Sequence, residues 1–203
     1  EILSGLVGSE MCIRDSSVVA ALGFVAGVSL WQAVQTRINA EEGSKAAICL
    51  KWPNDLLIEG KKTAGILLET FLATQDALTI VLGVGVNIKN APIVAEYLTT
   101  NLTAHGYKGD RDTLFEDFSF YWAKNFPLSF SADGRNKIRE NWLGCAQGLG
   151  QRIGIKNGNQ QVEGSFITID EDFCCVVQQE NGKTAKIAAG EVYCIGSPTK
   201  ISR

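Results

Sequence analysis

Between residues 51 and 70 the chain gathers side chains with which an anionic substrate can be held. Asn54 and Asp55 set a carboxamide beside a carboxylate in Lys51-Trp52-Pro53-Asn54-Asp55, and Lys62 follows seven residues after the aspartate. Leu56-Leu57-Ile58 and Ile66-Leu67-Leu68 are short apolar runs, and Glu59-Gly60-Lys61 between them carries a hairpin turn signal. A hairpin returns Lys62 to the neighbourhood of Asn54 and Asp55. One cation, one carboxylate and one amide then converge at a sheet edge, faced by Gly65. A glycine inside a strand often marks close approach of a backbone or a ligand. The combination suits a substrate carrying negative charge. Composition alone gives a plainer reading, in which Trp-Pro-Asn-Asp is a turn and the adjacent lysines are a solvated face.

The elements that must position these groups follow from periodicity. Val18, Leu22, Val25, Val28 or Ser29, and Gln32 recur at helical spacing with apolar residues around much of the circumference, which predicts a helix buried against a sheet. Ser, Gly and Gln interrupt residues 17 to 34, so the stretch reads as a core helix and not as a membrane span. Asn39 to Lys45 is a polar loop, Ala46 to Lys51 a strand, and Thr74-Gln75-Asp76 a turn. Ala77 to Ile88 is an apolar strand whose unbroken character predicts cover on both faces. Within it Gly83 and Gly85 fall on one face, either to pack against the helix or to clear space for a ligand. Pro92 to His105 is irregular or a short helix. Asp112 is expected to cap a helix over 113–126, and Ser131 or Asp133 a helix through Ile138, Trp142 and Cys145, closed by Gly148 and Gly150. From about Leu149, short alternating segments are separated by Asn157-Gly158, Asp170-Glu171-Asp172 and Asn181-Gly182, the punctuation of successive hairpins.

Lys51-Trp52-Pro53-Asn54-Asp55, Lys62 and Ala64-Gly65-Ile66-Leu67 together resemble the signature of the biotin protein ligases, also called biotin–acetyl-CoA-carboxylase ligases. Val81-Leu82-Gly83-Val84-Gly85-Val86-Asn87 resembles that family's Gly-x-Gly-x-Asn strand. Three ordered pieces at family separations are far more specific than a lone Gly-x-Gly. The resemblance covers residues 17 to about 195. It implies an α+β fold, a mixed or antiparallel sheet flanked by helices (a class II synthetase-like catalytic domain) over 17–148, with a small SH3-like barrel over 149–203. Residues 1–16 match nothing in the family and are expected to be a non-native extension.

The same resemblance implies a two-step reaction. Biotin and ATP give biotinyl-adenylate and pyrophosphate, and a lysine of the biotin carboxyl carrier protein then displaces AMP. Lys62 and Asp55 take the catalytic positions. Lys62 would hold the biotin carboxylate and then the acyl-phosphate oxygens; two unit charges 4 Å apart interact by about 4 kcal/mol at an effective dielectric of 20. Asp55 would take the proton of the incoming lysine or position the metal. Asn54 and Asn87 would orient phosphate or Mg²⁺. Gly65, Ile66 and Leu67 would line the biotin pocket, and Gly83 and Gly85 would leave room for the ligand.

Two family segments are not found ahead of the first helix: a Ser-Thr-Asn biotin-binding stretch and a Gly-Arg-Gly-Arg-x-Gly-Arg loop. An N-terminally truncated chain with impaired activity is therefore expected. A lipoate–protein ligase and a non-catalytic module that binds the carrier or a biotin nucleotide stay open as alternatives, as does a homodimer. The net charge of −3 leaves no overall basic footprint for nucleic acid. Six cysteines without a C-x-x-C pair and a single histidine suit neither a zinc site nor a secreted disulfide scaffold, and point to reduced thiols in the cytoplasm.

Overall fold

The computed structural model describes residues 16–38, 46–72, 78–158 and 160–195. The expected extension, apart from Ser16, lies outside the described residues, as do the loops expected at 39–45 and 74–76. The first element is helix α1, Ser16–Ile38. It is followed by strands β1 (Ile48–Lys51), β2 (Asp55–Ile58), β3 (Lys61–Leu72) and β4 (Leu78–Val86). These form one antiparallel sheet in the order β1-β2-β3-β4. Helices α2 (Arg111–Asn125) and α3 (Ala132–Gly144) come next. Strands β5 (Arg152–Asn157), β6 (Gln160–Ile169), β7 (Cys175–Gln178), β8 (Thr184–Ile187) and β9 (Glu191–Cys194) form a second sheet in the order β8-β7-β6-β5-β9. The architecture is α+β, as expected. In the second sheet β8 and β9 are the outer strands among the described residues.

α1 is apolar on nearly every side because it is enclosed. Ala21, Val25, Ala26, Ala33 and Val34 are fully buried, and Phe24 stacks at an angle against both Trp142 of α3 and Phe173 in the turn between β6 and β7. By length and composition Val18–Ile38 is apolar enough to cross a membrane, but 67% of its most apolar window is buried inside the protein. Polar pins fix its register. Asn125 donates to Ser29 Oγ at 3.0 Å and to Gln32 Oε1 at 2.8 Å, and Ser29 and Asn125 are themselves buried. A buried amide left unpaired costs the full desolvation of that group, so this contact selects one pairing of α1 with α2.

Two boundaries differ from the sequence reading. The cap of α2 is Asp110, whose carboxylate accepts from Thr113 N at 2.9 Å, two residues earlier than the expected Asp112. α3 is capped by Ser131 and ends at Gly144, so Gly148 and Gly150 do not close the helix but form the left-handed turn that follows it.

The turns of the two sheets touch at Trp52. Trp52 is buried and its indole N–H donates to Phe173 O at 3.4 Å. Phe173 has a positive φ of 62°, held by Asp170, whose carboxylate accepts from Asp172 N and Cys174 N and pairs with Lys186 Nζ at 2.9 Å. Burial pushes the Asp170 carboxyl up, but the Lys186 ammonium and the two backbone N–H groups together outweigh it and hold the group below its ordinary range. A carboxyl depressed on folding stabilises fully above its unfolded value of about 3.9 and loses that contribution as pH falls through the folded value. Asp170→Asn is therefore expected to lower stability by about 1–2 kcal/mol near neutrality, the scale of hydrogen bonds to a charged acceptor. The difference from wild type should shrink below about pH 4. Urea unfolding at a series of pH values reads it, and a difference that persists undiminished at the acid end contradicts the assignment.

Candidate active site

The hairpin places the charged groups, and its turn has the required chemistry. Glu59 and Gly60 both have positive φ, 52° and 72°, the conformation of a two-residue hairpin loop matched to strand twist. Glu59 Oε1 also accepts from Ala47 N at 2.6 Å, which ties the turn to β1. At the other end of β2, residues 52–54 link β1 to β2, with Lys51 opposite Asp55 and a cis peptide between Trp52 and Pro53.

Strand parity alone would not bring Lys62 to Asp55. Asp55 pairs with Gly65, so both lie on one face. Lys62 is three residues before Gly65, and strict alternation would send it to the other face. A bulge resolves this. Leu56 pairs with Ala64 and Leu57 with Lys62, so Thr63 is the extra residue. Thr63 and Ala64 are both buried, and Lys62 emerges on the face of Asp55. Bulges re-aim side chains in this way beside functional sites. Lys62 Nζ lies 2.6 Å from Asp55 Oδ1, with side-chain exposures of 29% and 15%. The pair is thus largely desolvated yet open on one side. Lys61 is exposed and makes no such contact.

The floor beside the pair is glycine. Gly65 pairs with Gly85 and Leu67 with Gly83 across β3 and β4, which puts all four residues on the face of Asp55. A Cβ at Gly65 would stand 3.5 Å from Lys62 Nζ and 3.7 Å from Asp55 Oδ1. At Gly83 and Gly85 a Cβ would meet nothing nearer than 3.8 and 3.9 Å. These are ordinary contacts, so the protein's own packing does not require glycine at any of the three. The expectation that β4 is covered on both faces fails among the described residues: Val84 and Val86 pack toward the core while Gly83 and Gly85 are exposed. An apolar run in which glycine alternates with valine hides a one-sided strand.

Other expected site residues are placed differently. Ile66 is buried on the opposite face from Gly65 and Leu67, so its side chain does not line the same surface. Its backbone does contribute: Asn54 Nδ2 donates to Ile66 O at 2.7 Å, and Ile66 N donates to Asn54 O at 2.9 Å. Asn87 is likewise a pin. Its backbone N–H donates to Thr63 O at the bulge, and its side-chain nitrogen donates to Thr100 O at 3.1 Å. The side-chain nitrogens of both carboxamides are thus committed to backbone. A Mg²⁺ site wants carboxylate and other oxygen ligands in near-octahedral order. The one carboxylate of this cluster is already neutralised by Lys62, and no group of three or more His, Cys, Asp or Glu suited to a metal occurs among the described residues. The donor set does not fit a protein-held Mg²⁺.

The sequence reading did not place the segment Tyr97–Thr100 beside Lys62. Lys62 N donates to Leu98 O at 2.9 Å and Thr100 N donates to Lys62 O at 3.0 Å, and the Lys62 ammonium lies 5.2 Å from the centre of the Tyr97 ring. Nothing in the composition of residues 92–100 signals this; it is an irregular stretch in which only the lysine's backbone shows the partner.

Comparison with known proteins bears on what this cluster serves. A family model described as the biotin/lipoate A/B protein ligase family matches residues 3–87, a range that holds the Trp52 turn, the bulge and both glycine strands, and that begins at residue 3, against the expectation that residues 1–16 match nothing in the family. The biotin–[acetyl-CoA-carboxylase] ligase of Paracoccus denitrificans is 30% identical over 184 residues, covering 86% of this chain and 72% of that protein. The chain belongs to the biotin protein ligase family. The bifunctional ligase/repressor of Escherichia coli is 39% identical over 136 residues, covering 64% of this chain but only 41% of that protein. Among solved structures, the biotin protein ligase of Aquifex aeolicus in complex with biotin and ATP shares the fold, with a TM-score of 0.71 at 20% identity over 93% of this chain and 77% of that one. For a biotin protein ligase the glycine-floored face is the informative feature, because charge and clearance coincide on it.

Proposed function

We propose that the chain attaches biotin to a lysine of a biotin carboxyl carrier protein in two ATP-dependent steps, at the face bearing Lys62, Asp55, Gly65, Leu67, Gly83 and Gly85. The observation that carries this reading is the Lys62–Asp55 pair at 2.6 Å beside glycines that no internal contact requires. In the first step a biotin carboxylate oxygen attacks the α-phosphorus of ATP, and pyrophosphate leaves with the bonding electrons. Two anions must be held together, and a preorganised ammonium in a partly dry site lowers that cost. Lys62 supplies it. In the second step the carrier lysine's neutral amine adds to the acyl carbonyl, AMP departs, and Asp55 takes the amine proton. Mg²⁺ enters with the phosphates of ATP as part of the substrate. Asn54 and Asn87 act through backbone, one holding the Trp52 turn to β3 and the other holding the bulge to residue 100. A cytoplasmic location belongs to the same proposal, since ATP and the carrier meet there.

Isotope exchange between pyrophosphate and ATP tests the first step. Exchange that depends on biotin, and is absent with lipoate in its place, is the expected result. Lipoate-dependent exchange would reassign the chain to the lipoate branch. No exchange with either, alongside measurable binding of a biotinyl nucleotide, would make it a binding module.

A further inference from the structure

Lys62 is held on more sides than its ion pair accounts for. We propose that Tyr97 is a positioning residue for Lys62: its ring fixes the ammonium above the glycine floor while the adjoining strap fixes the backbone. The strap is tied to the lysine at two points, Lys62 N to Leu98 O and Thr100 N to Lys62 O, and runs beside it in parallel register with Lys62 opposite Thr99. Asn87 pins the far end, its side chain to Thr100 O and its carbonyl to Leu102 N, and Leu102 is fully buried. At the near end Thr99 Oγ1 donates to Pro92 O at 2.5 Å. Tyr97 therefore projects from an anchored segment. Its ring centre is 5.2 Å from Lys62 Nζ, inside the range of about 6 Å over which an aromatic face attracts a cation.

The arrangement answers a need that Asp55 alone leaves open. A lysine has four side-chain torsions, and an ammonium held only by a carboxylate swings when a substrate anion competes for it. An aromatic face attracts the cation without offering an acceptor, so it restrains the ammonium while leaving its N–H donors to the ligand. The ring's value here lies in the face and not in the hydroxyl. Tyr97→Phe should therefore preserve the effect and Tyr97→Leu should remove it. Ile93, in the same irregular stretch and fully exposed, is a control for loosening of the loop in general.

Two measurements decide the matter, and they fail separately. Protons above an aromatic face resonate upfield, so the ε-methylene of Lys62 in lysine-labelled protein should be shifted upfield in wild type and Tyr97→Phe. It should return toward the ordinary lysine position in Tyr97→Leu. That readout does not depend on activity. The second is affinity for a non-hydrolysable acyl-sulfamate analogue of biotinyl-adenylate, expected to fall about 2- to 5-fold in Tyr97→Leu, the scale of a partly exposed cation–π contact. Tyr97→Phe and Ile93→Ser should match wild type. An ε-methylene shift that survives in Tyr97→Leu, or a Tyr97→Phe variant as weak as Tyr97→Leu, overturns the proposal. If wild type shows the shift but does not bind the analogue, the ligase reading on which the second measurement rests fails, and the positioning of Lys62 by Tyr97 stands.

Discussion

Lys62→Ala is expected to lower biotin-dependent pyrophosphate exchange by about 10²–10³-fold, the scale for removing one preorganised donor at developing charge. The loss has two sources. The ammonium no longer offsets the negative charge brought together by carboxylate and triphosphate. In addition Asp55, 15% exposed, is left without the cation 2.6 Å away, so a carboxylate now repels the substrate where a neutral pair stood. Lys61→Ala should change little, because Lys61 is exposed and the bulge at Thr63 sends only its neighbour to the face of Asp55. Lys62→Arg should also be poor. A planar fork does not replace a compact ammonium set 2.6 Å from Asp55 and against the Gly65 backbone. Exchange rates and carrier labelling are measured for the three variants after circular dichroism and thermal unfolding match wild type. Equal losses for Lys61→Ala and Lys62→Ala would mean that the general charge of the hairpin matters, and that the pair with Asp55 does not.

Much of this site was legible because its parts are local. Lys51 to Leu68 is one hairpin and its lead-in, so turn chemistry at Glu59-Gly60 was enough to bring Asp55 and Lys62 together in outline. The reason that they share a face was not legible. It depends on Thr63 being an extra residue, and a bulge leaves no mark in a run of Lys, Thr and Ala. Ile66 was put in the pocket by resemblance alone, and strand parity argues against it: three consecutive residues, Gly65 to Leu67, cannot all face one pocket from a regular strand. Asn54 and Asn87 were found by motif, but that their side-chain nitrogens bind backbone was not legible, because a sequence does not display which backbone carbonyls need a donor. Tyr97 was out of reach altogether, since 35 residues separate it from Lys62 and only the three-dimensional course of the strap joins them. In the fold, α1 and the hairpin punctuation of the second sheet were clear from periodicity. The contact of Trp52 with Phe173 was not, because it joins two elements that no local pattern relates.

Gly85→Val and Gly83→Val are expected to separate stability from function, moving them in opposite directions. A glycine inside a strand costs conformational entropy and offers no side chain to pack, whereas valine suits a pleated surface. Apart from its chain neighbours, a Cβ at either position meets no atom of the described residues closer than 3.8 Å. Each variant should therefore unfold at the same urea concentration as wild type or at a higher one. Affinity for the biotinyl-adenylate analogue should nevertheless fall by on the order of 10²-fold, because a branched side chain on this floor displaces the ligand by about an ångström from its place beside Lys62. Gly85 should be the more sensitive of the two, since it pairs with Gly65, whose own Cβ position lies 3.5 Å from the Lys62 ammonium; Gly83 pairs with the exposed Leu67, farther along the strand. A fall in stability with affinity unchanged would return the glycines to a packing role. Higher stability with full affinity would show that the ligand lies elsewhere, and the face marked by Lys62 and Asp55 would lose its claim to be the site.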